Sequence, residues 1–189
     1  VVHLAGENIA AKRWNVAVKE RLRRSRVETT KFLCKTLCQL KTPPKTLICA
    51  SAIGFYGDRG QEILTESAAG GTGFLADLVR DWEASCEPAR KHGIRVVNLR
   101  IGVVLSPDGG GLKAMLTPFR MGVGGVMGSG RQYWSWVALD DVVGAIQHCL
   151  ANSKITGPIN VTAPNPVTNR EFTKTLGTVL GRQIGRAHV

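Results

Sequence analysis

Three short segments bring chemically capable residues to points where an apolar run gives way to a turn. They are Leu4-Ala5-Gly6-Glu7-Asn8, Ser51-Ala52-Ile53-Gly54-Phe55-Tyr56-Gly57 and Ile101-Gly102-Val103-Val104. Each places Gly or Ala where backbone has to approach a flat ligand closely. In an open α/β sheet, ligands bind outside the carboxyl ends of the strands, so these are the positions to read for function. Ser51 offers a hydroxyl to a substrate carbonyl or alcohol and is the candidate catalytic residue; capping a buried strand end is its other possible role. Glu7 and Asn8 close the first run, where Asn8 is a candidate substrate contact or a turn residue. Tyr56 and Trp136 are the remaining candidate substrate contacts; Trp134 and Trp136 alternate along a strand, so one of them can flank a ring.

Other polar groups have simpler readings. Asp140 and Asp141 precede an apolar-periodic segment and fit a helix start better than an acid pair. His3 falls inside a strand and His92 at a helix end, so neither is assigned as a base. The cysteines at 34, 38, 49, 86 and 149 lack metal-site spacing, and the expectation is reduced, mostly buried thiols with no metal.

The elements that hold these segments alternate between strand and helix patterns, as in βαβ units. Strands are expected at Val1 to Ala5, Thr46 to Ala50, Arg95 to Arg100 and Pro158 to Thr162. Helices are expected from about 15 to 41, from about 74 to 92 with His92-Gly93 as the stop, and after Asp140. A last helix opens at Thr168 with Glu171 in the capping-box position. The fold class is therefore α/β, a Rossmann-like doubly wound parallel sheet. A chain opening on Val1-Val2 inside an apolar run reads as a fragment with N-terminal strands absent. Residues 1–182 form a partial dinucleotide-binding domain, and 183–189 a divergent tail.

The 189 residues include 25 Lys and Arg against 14 Asp and Glu, a formal charge of +11. Residues 12 to 35 concentrate it, with Lys12, Arg13, Lys19, Arg21, Arg23, Arg24, Arg26, Lys31 and Lys35 against Glu20 and Glu28. This is a solvated helix face, a source of one or two arginines for a cofactor phosphate, or, as a minor alternative, a nucleic-acid surface. No apolar run is long enough to span a membrane and no secretory signal is visible, so a cytoplasmic protein without a membrane partner is expected.

Taken together, the motifs resemble extended short-chain dehydrogenases/reductases, and within them the atypical YfcH-like epimerase subgroup. The resemblance rests on Ala5-Gly6-Glu7-Asn8-Ile9, Arg24-Ser25-Arg26-Val27-Glu28-Thr29-Thr30, Ser51 to Gly57, Asp81-Trp82-Glu83-Ala84, Arg100 to Leu105, Gly128-Ser129-Gly130, Trp136 to Asp141 and Asn160 to Pro164. It implies an NADP(H)-binding, epimerase- or reductase-like protein acting on an unknown small molecule. It places Leu4, Ala5, Gly6, Ser51, Ala52 and Val104 along the cofactor, with Arg26 and Arg21 near its phosphates; the surplus of arginines favours NADP over NAD. The Gly-rich phosphate turn with which the family begins does not occur in this sequence. Where active members of the superfamily carry Tyr-x-x-x-Lys, this chain has Leu75 and Val79, neither able to move a proton. A non-catalytic NADP(H) sensor is therefore the main alternative to an enzyme.

Overall fold

The computed structural model describes residues 1–182; the expected tail at 183–189 lies outside them. The described residues divide into two compact units, the first made of 1–59, 64–100 and 146–160, the second of 60–63, 101–145 and 161–182.

The first unit is built on a four-stranded sheet in the order β1 (Val2–His3), β2 (Thr46–Ala52), β3 (Arg95–Ile101) and β7 (Gly157–Val161). Strands β1 and β2 run parallel, with Val2 opposite Ile48 and His3 opposite Cys49. The interiors of β2 and β3 are buried on both faces, which is why Leu47 to Cys49 and Val96 to Leu99 are so little interrupted by polar residues. The two polar residues toward the end of β3 have built-in partners. Asn98 donates to Cys86 Sγ at 3.7 Å and accepts from Arg90, and Arg100 is paired with Glu83. The described strands run in sequence order across the sheet, with helices between them, which is the α/β, Rossmann-like arrangement expected from the sequence.

Helix α1 (Val16–Arg23) starts on Asn15, whose Oδ1 accepts from Val18 N at 2.9 Å. The expected single helix then passes through a π turn (Arg24–Glu28) into α2 (Thr29–Cys38). The buried positions explain the turn. Val18 and Leu22 face the core, and so do Thr30, Cys34 and Leu37. From Leu22 to Thr30 is eight residues, more than two α turns of about 3.6. One α turn and one wider π turn span that interval and keep both stripes inward.

The expected helix over 74–92 is two: α3 (Phe74–Ala84) and α4 (Glu87–Lys91). The break follows from Pro88, which has no amide to continue the ladder and sits at the start of α4. Gly93, at φ 83°, ends α4 as expected. The cysteines are unbridged, and all but Cys38 are buried. Arg95 fixes the end of α6 (Leu139–Ala151) by donating to the carbonyls of Cys149 at 3.1 Å and Ile155 at 2.7 Å.

In the second unit, β4 (Val103–Leu105) pairs in parallel with β6 (Trp136–Ala138), and β5 (Tyr133–Trp134) pairs antiparallel with β8 (Val167–Thr168). Trp134 and Trp136 therefore belong to different sheets and do not alternate along one strand. The chain changes partners at Ser135, whose carbonyl accepts from Val103 N at 2.8 Å. It passes so close that a Cβ on Gly102 would lie 2.3 Å from Ser135 O. Helix α5 spans Gly110–Arg120 and α7 spans Asn169–Val179. Both bonds of the anticipated capping box are present at Thr168 and Glu171.

Candidate functional site

The end of β1 and the π turn form one half of the site. Strand β1 ends at His3, opposite Cys49, and Leu4, Ala5 and Gly6 follow at its carboxyl end, all of them exposed. The π turn directs two side chains back at this edge. Ser25 Oγ accepts from Glu7 N at 3.2 Å and donates to Leu22 O at 3.0 Å. Arg26 Nη2 donates to Glu7 O at 2.9 Å, and its guanidinium lies over the Trp82 ring at 5.3 Å. Gly6 packs on that guanidinium; a Cβ there would meet Arg26 Cζ at 3.3 Å.

Arg26 thus sits half-buried among carbonyls and a hydroxyl. Burial lowers its pKa, and the charge of Glu7 only partly opposes that. The Glu7 carboxylate is engaged elsewhere, by Arg21 Nε at 3.4 Å. A desolvated cation at a strand end, with no carboxylate in ion-pair range among the described residues, is suited to a phosphate. Asn8 Oδ1 accepts from Ala10 N at 2.9 Å, a bond that closes a turn in this loop.

The ends of β2 and β3 form the other half, and they are held by a network that motif reading missed. Ser51 donates to Glu83 Oε1 at 2.6 Å. Arg100 grips the same carboxylate through Nε and Nη2, each at 2.9 Å. Its Nη1 donates to Tyr56 Oη at 3.0 Å and Glu66 O at 3.2 Å, and Tyr56 donates to Asn160 Oδ1 at 2.7 Å. The Phe55 ring lies 3.5 Å from Arg100 Cζ. Burial alone would lower the Arg100 pKa; hydrogen bonds with Glu83 and Tyr56 and the Glu83 charge outweigh it and raise it.

The signal was in the sequence: an arginine at an inward position of a buried strand requires an acid, and Glu83 supplies it. Ser51 and Tyr56 are both buried, with hydroxyls committed to this network. Ala52 opens the short 3₁₀ turn Ile53–Tyr56, and a Cβ on Gly54 would lie 3.7 Å from Leu75 Cβ and 3.8 Å from Val79 Cγ2. Leu75 and Val79 thus place apolar side chains beside the turn that follows β2.

Val104 and Trp136 belong to the second unit, in β4 and β6. Trp136 Nε1 donates to Asn165 O at 3.1 Å. No cluster of His, Cys, Asp and Glu able to hold a metal occurs among the described residues.

Comparison with known proteins gives a consistent result. A model of the NAD dependent epimerase/dehydratase family matches residues 1–162. An epimerase family protein of Mycobacterium tuberculosis is 47% identical over 182 residues, covering 96% of this chain and 60% of that protein. The human epimerase family protein SDR39U1 is 39% identical over 187 residues, covering 96% and 63%. The chain thus spans about three fifths of the length of these relatives. A crystal structure of human SDR39U1 with NADPH matches with TM-score 0.89 at 36% identity, over 100% of this chain and 63% of that one. A nucleoside-diphosphate sugar epimerase from Corynebacterium glutamicum matches with TM-score 0.82 at 43% identity, over 98% and 40%.

Proposed function

This chain belongs to the NAD dependent epimerase/dehydratase family, and from that premise we propose that the end of β1 and the π turn bind NADP(H). Leu4, Ala5 and Gly6 supply backbone surface, Arg26 meets a cofactor phosphate, and Arg21 adds charge beside it. Ser51 and Ala52 shape the neighbouring strand end. The observation that carries the reading is Arg26, a half-buried guanidinium seated on Gly6 and the Glu7 carbonyl, with no carboxylate in ion-pair range among the described residues. The human relative solved with NADPH supports the choice of cofactor.

NADPH titration followed by its fluorescence tests this. Hydrogen bonds to charged groups contribute about 1.5–3 kcal/mol, so Arg26→Ala should weaken binding roughly ten- to a hundredfold. Arg26→Lys should fall between, and Arg24→Ala, on the outer face, should bind as the parent does. Equal dissociation constants for Arg26→Ala and the parent would remove Arg26 from the site.

Turnover is a separate matter from binding. The substrate is a small molecule of unknown structure, and the activity is that of an epimerase or reductase working without Tyr-x-x-x-Lys. A second reading, a cofactor-binding protein without turnover, is favoured by the apolar Leu75 and Val79 and by the enclosure of the Tyr56 hydroxyl. Across a panel of sugars and nucleotide sugars, NADPH oxidation reports a reductase, and chromatographic appearance of an epimer, a redox-neutral change with no net cofactor consumption, reports an epimerase. Tight binding with neither oxidation nor epimer formation supports the second.

A further inference from the structure

The outward face of the run from α1 through the π turn to α2 carries charge that the cofactor site leaves unused. Arg26 turns inward, and Arg21, Arg23 and Arg24 pair with Glu7, Asp81 and Glu28. Lys19, Lys31 and Lys35 on these helices, and Lys12 and Arg13 in the segment that leads into α1, are exposed, with no carboxylate in ion-pair range among the described residues. Lys19 rests over the Phe74 ring at 5.1 Å. Glu20 is the one acid of this stretch outside those pairs. Beyond the end of α2, a shallow cavity of about 350 Å³ lined by Lys35, Cys38, Gln39, Pro88, Lys91 and His92 extends the positive surface, with Lys91 beside Glu87 at 3.9 Å. Two apolar side chains stand out on the same helical run: Phe32, 72% exposed, and Val16, 86% exposed.

These features select a partner. A second copy pairing with its two-fold axis at Lys31 and Lys35 would set like charges against each other. An anionic partner complements the unpaired cations. Val16 and Phe32 gain by entering the boundary between head groups and acyl chains, and would gain little against a hydrated phosphate groove. Four of the five unpaired cations are lysines, compact charges suited to a diffuse field of head groups rather than to the forked recognition that arginine provides.

We propose that this face docks on membranes rich in anionic phospholipid, with Lys31 and Lys35 among the head groups and Phe32 in the interface. Such docking is peripheral; no helix among the described residues is long and apolar enough to cross a membrane.

Co-sedimentation with vesicles tests it. The protein should bind phosphatidylcholine vesicles containing about 30 mol% phosphatidylserine, not pure phosphatidylcholine, and should release at about 0.5 M salt. At about fivefold per lysine, Lys31→Ala with Lys35→Ala should weaken binding about twenty-five-fold. Phe32→Ser should weaken it severalfold, and Lys113→Ala, in α5 of the second unit, should leave it unchanged. Thermal melts of all variants confirm that they remain folded. Absence of sedimentation with anionic vesicles, or equal sedimentation with both kinds, overturns the proposal. So does tighter binding to duplex DNA at equal phosphate concentration with Phe32→Ser neutral, which would assign the face to nucleic acid.

Discussion

Replacing Arg100 by Met removes one member of a pair whose side chains are only 4% and 14% exposed. The Glu83 carboxylate receives two hydrogen bonds from Arg100 and one from Ser51. Loss of the guanidinium leaves it with Ser51 alone and takes a donor from Tyr56 and from the Glu66 carbonyl. Breaking a buried pair from one side costs about 3–5 kcal/mol, because the survivor stays desolvated and uncompensated. At about 2–4 °C per kcal/mol for a chain of this size, Tm should fall by roughly 6–20 °C. Glu83→Leu alone should cost a similar amount by stranding the guanidinium. The double variant should cost clearly less than the sum, with a coupling of about 1–3 kcal/mol. Urea unfolding followed by circular dichroism gives the four free energies. Additive losses, or an Arg100→Met cost under about 1 kcal/mol, would show that the network does not hold the ends of β2 and β3.

Two further outcomes concern single sites. His3 is buried, its Nε2 2.9 Å from Thr30 Oγ1, and burial holds its pKa below the ordinary 6.5. The unfolded chain therefore binds the proton more readily, so stability is fully present above about pH 6.5 and is lost as pH falls through the folded-state value. His3→Gln should flatten that part of the stability–pH curve, and an unchanged slope would refute the assignment. Gly71→Ala would place a Cβ 2.2 Å from Tyr56 O, so a destabilisation of about 1–3 kcal/mol is expected by thermal melt, and a neutral result would mean that the loop moves aside readily.

Much of the frame was legible because the governing signals are local. The unbroken apolar runs at 47–49 and 96–97 mark strands covered on both faces, Thr168 and Glu171 spell out their own cap, and Gly93 marks its own stop. What periodicity hid depends on contacts distant in sequence. Nothing near Ser51 announces Glu83, thirty-two residues on, and nothing near Tyr56 announces Asn160, one hundred and four residues away. The division of 74–92 at Pro88 was locally readable, and the helical pattern on either side obscured it. The separation of Trp134 from Trp136 depends on two different partner strands, which no alternation pattern encodes.

The basic segment shows most clearly why a count of charges could not be converted into a function. Nine basic residues in one amphipathic run are equivalent on paper, and a regular helix would distribute them by a single period. The π turn breaks that period. Upstream of it the core stripe is Val18 and Leu22; downstream it is Thr30, Cys34 and Leu37. Within the turn itself Ser25 and Arg26 swing to the Gly6–Glu7 edge. The same local widening that lets two stripes share one core thus separates the arginine that faces the strand ends from the lysines that face outward. Arg26 is half-buried with no carboxylate in ion-pair range among the described residues, whereas Lys31 and Lys35 are exposed on an outer surface. Their physical environments differ more than their side chains do. That difference is the ground for assigning the first to a bound phosphate and the second pair to a charged surface.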